Sequence, residues 1–489
     1  MAKVGDIMSE LTLAIDQSTQ GTKILLVRQD GTIAYKITKN HQQIINPQGW
    51  ISHDLTEIAA NLKFLIRKAL SHAGDAAIKA VTISNQRETA AAWSRRTSAP
   101  LALAIVWQDN RTTKVTEQPN IKKREKIIKY KTGLPLSPYF TASKFNWLQT
   151  YEPAVQTALS TGDLCLGTID SWLLYLLSEG TYKTEPSNAC RTQLMNIETC
   201  EWDPELCEIF GINPKNLPTI VDSDSNFGTT TLFGTLEKPI PITSILGDSQ
   251  SALLAENCLH PGEIKVTFGT GSSIMMNTGQ KLLRTKNGLN TSVAWKRKGK
   301  TTYALEGNVN YSGALISWLK DRLKLINDPA ETDEMAQAAS KNDTTFLIPA
   351  FSGMAAPYNK PELKAALVGM TPLTGRNEIV CAALDAIIYQ INDIISLMCQ
   401  VFTDSKLTLH VDGGMIANQY LMQRLADIVQ CKVLISPIQE LSGVGTSLNG
   451  MNNQTLTLSV SKTYKPCLDK IQSQNQVKIW ANNIKQLTK

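Results

Sequence analysis

An apolar run, Leu11-Thr12-Leu13-Ala14-Ile15, ends at a carboxylate, Asp16, passes through the polar turn Gln17-Ser18-Thr19-Gln20-Gly21-Thr22-Lys23, and resumes as Ile24-Leu25-Leu26-Val27. Two strands joined by such a turn form a hairpin whose backbone amides can point at an anion, with Asp16 at its mouth as a hard oxygen ligand for a metal. A second device of this kind leads from Ile264 to Phe268 into Gly269-Thr270-Gly271-Ser272-Ser273 and on through Ile274-Met275-Met276. Its glycines admit backbone angles that other residues avoid and let the chain approach a phosphate closely. Phosphoryl transfer needs a cradle like these with a magnesium site, a base to take a hydroxyl proton, and groups that orient the acceptor.

Candidates for the other two roles are present. Asp248 interrupts the apolar run Leu246-Gly247-Asp248-Ser249-Gln250-Ser251 just before the helix-like Ala252-Leu253-Leu254-Ala255, where it can act as a base or simply cap the helix. Arg87 and Glu88 follow the strand-like Ala80-Val81-Thr82-Ile83-Ser84. A cation and an anion side by side can hold neighbouring hydroxyls of a polyol; the plain alternative is a surface ion pair worth little. Trp107, in Ala104-Ile105-Val106-Trp107-Gln108-Asp109, reads as core from spacing alone, with an aromatic wall against a carbon chain as its functional alternative.

The elements that must carry these residues alternate. Strand-to-loop transitions at Ser84-Asn85 and at Val411-Asp412-Gly413-Gly414 are separated by helical patterns such as Ile379 to Leu397, which predicts α/β lobes. Two phosphate-type hairpins, one near the expected start of each lobe, predict two similar halves. Asn120 to Lys131 reads as a surface helix.

Composition narrows the class. The chain has 489 residues, 42% of them hydrophobic, a length that favours two or more cores and excludes disorder. A net charge of +6 spread over that length argues against nucleic acid as a partner, and the run Lys122-Lys123-Arg124 with Lys126, Lys129 and Lys131 reads as a solvated face. Nine cysteines without a C-x-x-C pair fit reduced thiols better than a disulfide framework or a zinc ribbon. Met1 to Glu10 has no apolar leader, and no uninterrupted apolar stretch approaches the ~20 residues of a membrane span, so a cytoplasmic protein without membrane insertion is expected.

Several segments together resemble the FGGY carbohydrate kinase family, most closely its glycerol kinase branch. They are Asn85-Gln86-Arg87-Glu88-Thr89, Ala104 to Asp109 with Arg111, Gly167-Thr168-Ile169-Asp170-Ser171-Trp172-Leu173, and Ser187-Asn188-Ala189 with Arg191-Thr192. Two longer stretches, Tyr139 to Leu148 and Ala365 to Asp385, are similar to the family's signatures, the first departing at its polar end, where Tyr151 stands. The resemblance runs from about Leu11 to Gly450. It implies two actin-like, ribonuclease-H-like α/β lobes with ATP and Mg2+ in a central cleft and transfer to a sugar or polyol hydroxyl. The expected division is 1–247 and 248–489.

Carried over position by position, the resemblance makes Asp248 the catalytic base and Asp16, with Asp248, the metal-associated carboxylates. Thr19, Lys23, Gly269 and Thr270 match the phosphate turns, Gly313 a residue near the phosphates, and Gly413, Gly414 and Asn418 the adenosine motif. Arg87, Glu88, Trp107, Tyr139 and Asp248 match the residues that hold glycerol. This chain departs at Ser249, where the branch has Gln, and at Ser273, where it has Phe. Two small hydroxyls in their place imply a wider, more polar acceptor pocket, leaving a tetritol, or a ketose such as xylulose or ribulose, beside glycerol. Gln20 in place of Thr bears on the donor turn, and Asn359 departs where an aromatic often stands. A nucleotide-binding regulator on the same fold is the alternative from another class, and a homodimer or homotetramer is the assembly the resemblance implies.

Overall fold

The computed structural model describes residues 10–488 apart from 75, 287, 355, 359, 404–406, 439 and 452–459; Asn359 therefore lies outside the described residues. The described residues fall into two compact units. The first takes those of Met1–Asn257, Ser292–Tyr303 and Glu440–Thr457; the second takes those of Cys258–Thr291, Ala304–Gln439 and Leu458–Lys489. This grouping does not follow a single cut at 247/248: the helix that begins at Asp248 belongs with the first unit, as do two later segments.

The first unit is built on a six-stranded sheet. Its strands are β1 (Leu11–Gln17), β2 (Gly21–Arg28), β3 (Ile33–Asn40), β4 (Ile78–Asn85), β5 (Thr229–Thr230) and β6 (Ile240–Gly247), in the order β5-β6-β4-β1-β2-β3. Every residue of β1 is buried, as expected of a strand covered on both faces. Helix α1 (Leu55–Ala73) buries Leu55, Ile58, Leu62, Leu65, Ile66 and Ala69 at helical spacing. It starts where the Asp54 carboxylate accepts from the Thr56 N–H at 2.7 Å.

Register fixes what the sheet delivers. Strands β1, β4 and β6 run parallel, with Gln17 opposite Asn85 and Asn85 opposite Gly247, so their carboxyl ends lie along one edge. That is the edge where open α/β sheets bind ligands, and Asp16, Arg87, Glu88 and Asp248 all stand at it. A separate five-stranded sheet in the same unit includes Ala104–Ile105, the strand that leads to Trp107.

Of seven later strands, five lie wholly in the second unit, while most of Asn290–Arg297 and the start of Lys300–Val309 belong to the Ser292–Tyr303 segment of the first. After α2 (Asp248–Ala255) of the first unit come β7 (Glu263–Phe268), β8 (Ser272–Gly279), β9 (Asn290–Arg297), β10 (Lys300–Val309), β11 (Thr408–Gly413), β12 (Lys432–Ile435) and β13 (Lys462–Tyr464). Within the second unit the order is β10-β8-β7-β11-β12-β13, with β10 entering it at Ala304. Helix α3 (Arg376–Val401) extends the predicted 379–397 at both ends. It is the one described helix long and apolar enough to cross a membrane, and most of it is buried inside the second unit's core. Asp385, Gln390, Asn392 and Asp393 interrupt it, so it contains no uninterrupted apolar stretch of a span's length.

The carboxylate of Asp393 on α3 accepts from Trp480 Nε1 at 2.9 Å and from the Tyr358 hydroxyl at 2.8 Å, which pins the C-terminal helix Lys470–Leu487. Burial pushes its carboxyl up to about 6 in spite of those two donors. A raised carboxyl pKa gives stability present below the unfolded value and lost as pH rises through the folded one, so ionised Asp393 costs ~2–3 kcal/mol above pH 6. Asp393→Asn keeps an oxygen that can accept both bonds. In a thermal melt series it should exceed the parent Tm at pH 8 and approach it near pH 4; a gap independent of pH would refute this account.

The basic run differs from the predicted single helix. It forms two short helices, Pro119–Lys122 and Glu125–Thr132, broken at Lys123-Arg124. Lys122, Lys123, Arg124 and Lys126 are exposed, and Lys131 pairs with Asp203 and Glu205 at 2.8 Å, in keeping with a solvated face. All nine cysteines are free thiols, six of them buried.

Candidate active site

The first turn is held open by its own side chain. Ser18 Oγ accepts from the Gly21 N–H at 3.2 Å and donates to the Gly21 carbonyl at 3.0 Å, while Asp16 stands opposite Lys23 in the β1–β2 ladder. Lys23 Nζ lies 3.6 Å from Asp16 and also pairs with Glu440, a residue that sequence reasoning missed; Lys36 reaches Glu440 at 3.1 Å. Burial lifts the Asp16 carboxyl to about 6, with the Asp248 and Glu440 charges adding to it and Lys23 opposing it. Burial works against the charge on Lys23, but Asp16 and Glu440 outweigh it and hold its pKa above the usual lysine value.

A buried carboxylate that one lysine does not satisfy fits a divalent cation. The described residues contain no cluster of three or more His, Cys, Asp or Glu side chains able to hold a metal. Magnesium bound with phosphates and waters asks for only one or two carboxylates, and Asp16, with Asp248 nearby, meets that requirement.

Arg87 and Glu88 are not a surface pair. They are 9% and 2% exposed, and Glu88 sits in the left-handed region at φ 63°. Glu88 pairs with buried Arg191, and Arg87 donates to Gln250 Oε1 at 3.2 Å while its Nε lies 3.7 Å from Asp248 Oδ1. Gly247 makes this approach feasible, since a Cβ there would lie 2.8 Å from Arg87 Cδ. Asp248 opens α2 as its first residue; its Oδ1 accepts from the Ser249 N–H at 2.6 Å and the Ser249 hydroxyl at 3.2 Å, and its side chain stays 35% exposed. It therefore starts a helix and keeps a solvent-reachable oxygen at the same time.

Trp107 is half-buried, not core, and its Nε1–H donates to Thr19 Oγ1 at 2.9 Å in the first turn. Its ring lies 5.5 Å from that of half-buried Tyr139, tilted by 59°. Lys144, wholly buried, fixes the Tyr139 segment by donating to the carbonyls of Pro138, Tyr139 and Phe140; burial lowers its pKa to about 7. Gln20 is exposed at the turn's tip. Arg191 and Lys144 were visible in the sequence only as parts of quoted motifs, with nothing to mark their partners.

In the second unit, Gly269 and Thr270 form the turn between β7 and β8. Their carbonyls accept from the N–H groups of Gly313 and Ala314 at 3.0 and 2.9 Å, so the start of the helix Gly313–Asp321 is tied to the turn. A Cβ at Gly313 would lie 2.7 Å from the Gly269 carbonyl. Gly413 pairs with Phe268, and the Gly414 N–H donates to the Phe268 carbonyl at 3.0 Å, which joins this strand end to the same turn. Asn418 caps helix α4 (Gln419–Val429) through its Oδ1, and its Nδ2 donates to Thr332. Ser273 stands on β8 opposite Thr267. The structure thus gathers Asp16, Thr19, Lys23, Arg87, Glu88, Trp107, Tyr139, Asp248 and Ser249 in the first unit, and Gly269, Thr270, Ser273, Gly313, Gly413, Gly414 and Asn418 in the second.

Known proteins are similar to this chain over most of its length. The N-terminal domain model of the FGGY family of carbohydrate kinases matches residues 11–255, and the C-terminal domain model matches 264–452. Glycerol kinase 1 of Thermotoga maritima is 41% identical over 89% of this chain and 89% of its own. A glycerol kinase of Shewanella is 37% identical over 95% of this chain and 94% of its own. The crystal structure of Plasmodium falciparum glycerol kinase with ADP superposes with a TM-score of 0.92 at 33% identity, covering 98% of each chain. With both domain models matched in order along its length, the chain belongs to the FGGY family of carbohydrate kinases, ATP-dependent phosphotransferases that act on an alcohol group of a polyol or sugar.

Proposed function

We propose that the acceptor is a glycerol-sized polyol and that Asp248 removes the proton from its attacking hydroxyl. The observation that carries this reading is the buried Arg87–Glu88 pair, set 3.7 Å from a base that remains 35% exposed. A guanidinium donates to hydroxyl oxygens and a carboxylate accepts from hydroxyl protons, so the two orient adjacent hydroxyls of one molecule. Trp107 and Tyr139 offer apolar area to the carbon chain between them. Magnesium, when bound with the nucleotide phosphates, balances the charge of the transferring phosphoryl group, and Asp16 is the residue that would hold it, with Asp248. Lys23 and the turn from Ser18 to Gly21 receive phosphate oxygens; Gly269, Thr270 and Gly313 do so in the second unit, where Gly413, Gly414 and Asn418 serve the adenosine end. Free thiols throughout fit a cytoplasmic setting.

A longer polyol or ketose is the second reading, favoured by the small Ser249 that leaves Asp248 open. A coupled ADP assay decides between them, run on glycerol, erythritol, ribitol, xylitol, dihydroxyacetone, ribulose and xylulose. Glycerol should give the largest kcat/KM. A larger value for a four- or five-carbon acceptor would move the assignment to the second reading, and no turnover with any of them would reject both.

A further inference from the structure

We infer that Glu185 is a positioning residue, the buried hub that sets the base Asp248 and the clamp Arg87–Glu88 in mutual register; this rests on the proposed roles of those three side chains. Glu185 is fully buried and precedes the four-residue helix Pro186–Ala189. Its Oε1 accepts from the Ser187 hydroxyl at 2.5 Å, the Asn188 N–H at 2.8 Å and Asn188 Nδ2 at 3.0 Å. Its Oε2 accepts from the Ser187 N–H at 2.9 Å and the Ser223 hydroxyl at 2.7 Å. Capping so short a helix would occupy one oxygen and a smaller side chain would serve. Here both oxygens are filled, and two of the donors pass the contact on.

One arm leads to the base. With its proton committed to Glu185, the Ser187 oxygen is free to accept, and it takes the Gly247 N–H at 2.9 Å, the residue directly before Asp248. The other arm leads to the clamp. Asn188 exchanges amide bonds with Asn85 at 2.9 and 3.1 Å, and Asn85 Nδ2 also donates to the Gln86 carbonyl at 2.8 Å, directly before Arg87. The ends of β4 and β6 are neighbours in the sheet, yet past Asn85 and Gly247 the ladder stops. Beyond that point the Glu185 network connects the two strand ends. A buried carboxylate is costly, and burial lifts this one to about 7 despite its donors; retaining it makes sense where its position matters.

The two arms predict separable effects. Ser187→Ala cuts the arm to Gly247 and should lower kcat by about tenfold with little change in acceptor KM, while Ser187→Thr restores kcat. Asn188→Ala cuts the arm to Asn85 and should raise acceptor KM by about tenfold. Thr132→Val, which removes a buried hydroxyl bonded only within its own segment, should lower Tm and leave both constants unchanged. Hydrogen exchange at the Gly247 amide should quicken in Ser187→Ala and return to the parent rate in Ser187→Thr, whatever the acceptor. Unchanged kcat in folded Ser187→Ala, or an unchanged Gly247 exchange rate, would overturn the inference. If the parent turns over none of the acceptors, the proposed function fails, and the Gly247 amide still decides this one.

Discussion

Asp248→Ala should lower phosphoryl transfer on the order of 10^3-fold while leaving ADP affinity close to that of the parent. The proton of the attacking hydroxyl needs an acceptor within hydrogen-bond reach, and among the residues at this sheet edge Asp248 combines an exposed oxygen with a fixed one. Ser249 holds Oδ1 by its N–H and its hydroxyl, so the carboxylate has a set orientation. Arg87 Nε lies 3.7 Å from the same oxygen. The adenosine-end and second-turn residues belong to the other unit, so the variant should still show the parent's thermal shift with ADP. Asp248→Asn, which preserves volume, should lose as much activity as the Ala variant. Turnover within tenfold of the parent in either one would refute the assignment.

The second large effect is expected at Gly413. This residue adopts φ 98°, and a Cβ there would stand 2.1 Å from the Phe268 carbonyl oxygen and 2.8 Å from its carbon and nitrogen. Real side chains do not come so near backbone, so Gly413→Ala must part β7 from β11 at the end that carries the second phosphate turn. The strained angle and the displaced pairing together cost ~2–4 kcal/mol. The ends of both strands move, and with them the tie from Gly414 to Phe268, so ADP affinity should fall by about 100-fold or more; the thermal shift at saturating ADP, worth ~3 kcal/mol at 100 times Kd, should largely vanish. Gly414→Ala separates packing from ligand contact, because a Cβ at Gly414 meets nothing within 4 Å and the parent Tm should be kept. A Gly413→Ala protein with the parent's Tm and ADP shift would count against the role given to this strand end.

The parts of this architecture that repeat locally were legible in the chain. The β1–β2 hairpin, the glycine turn after Phe268 and the strand ending at Asn85 all announce themselves by apolar runs that stop at polar or glycine residues, and the structure has each of them. Trp107 shows the limit of such reading. Its neighbours Ala104, Ile105 and Val106 are core, and only the tertiary bond to Thr19 explains why the next residue is left half-open. Arg87 and Glu88 were read as an adjacent cation and anion, but their burial depends on Arg191 and Gln250, each about 100 or more positions away in sequence. Glu440 lies farther still from Lys23, at a sequence separation of 417. Partners of that kind have no periodic signature. The division of the chain was hidden for the same reason, since the described residues of Glu440–Thr457 group with the first unit through contacts that spacing does not encode.

Three bonds fasten the proposed first phosphate turn to the proposed acceptor segments: the Gln86 N–H to the Gln17 carbonyl at 2.8 Å, Gln86 Nε2 to the Ser18 carbonyl at 3.2 Å, and Trp107 Nε1 to Thr19 at 2.9 Å. On the proposed assignment, tightening of the turn around an anion is passed through these bonds to the segments proposed to hold the polyol. By thermodynamic linkage, whatever factor the nucleotide adds to acceptor affinity, the acceptor must return to the nucleotide. On the proposed site assignment the two substrates are thus expected to act as mutual effectors, so that affinity for either is to be stated with the concentration of the other.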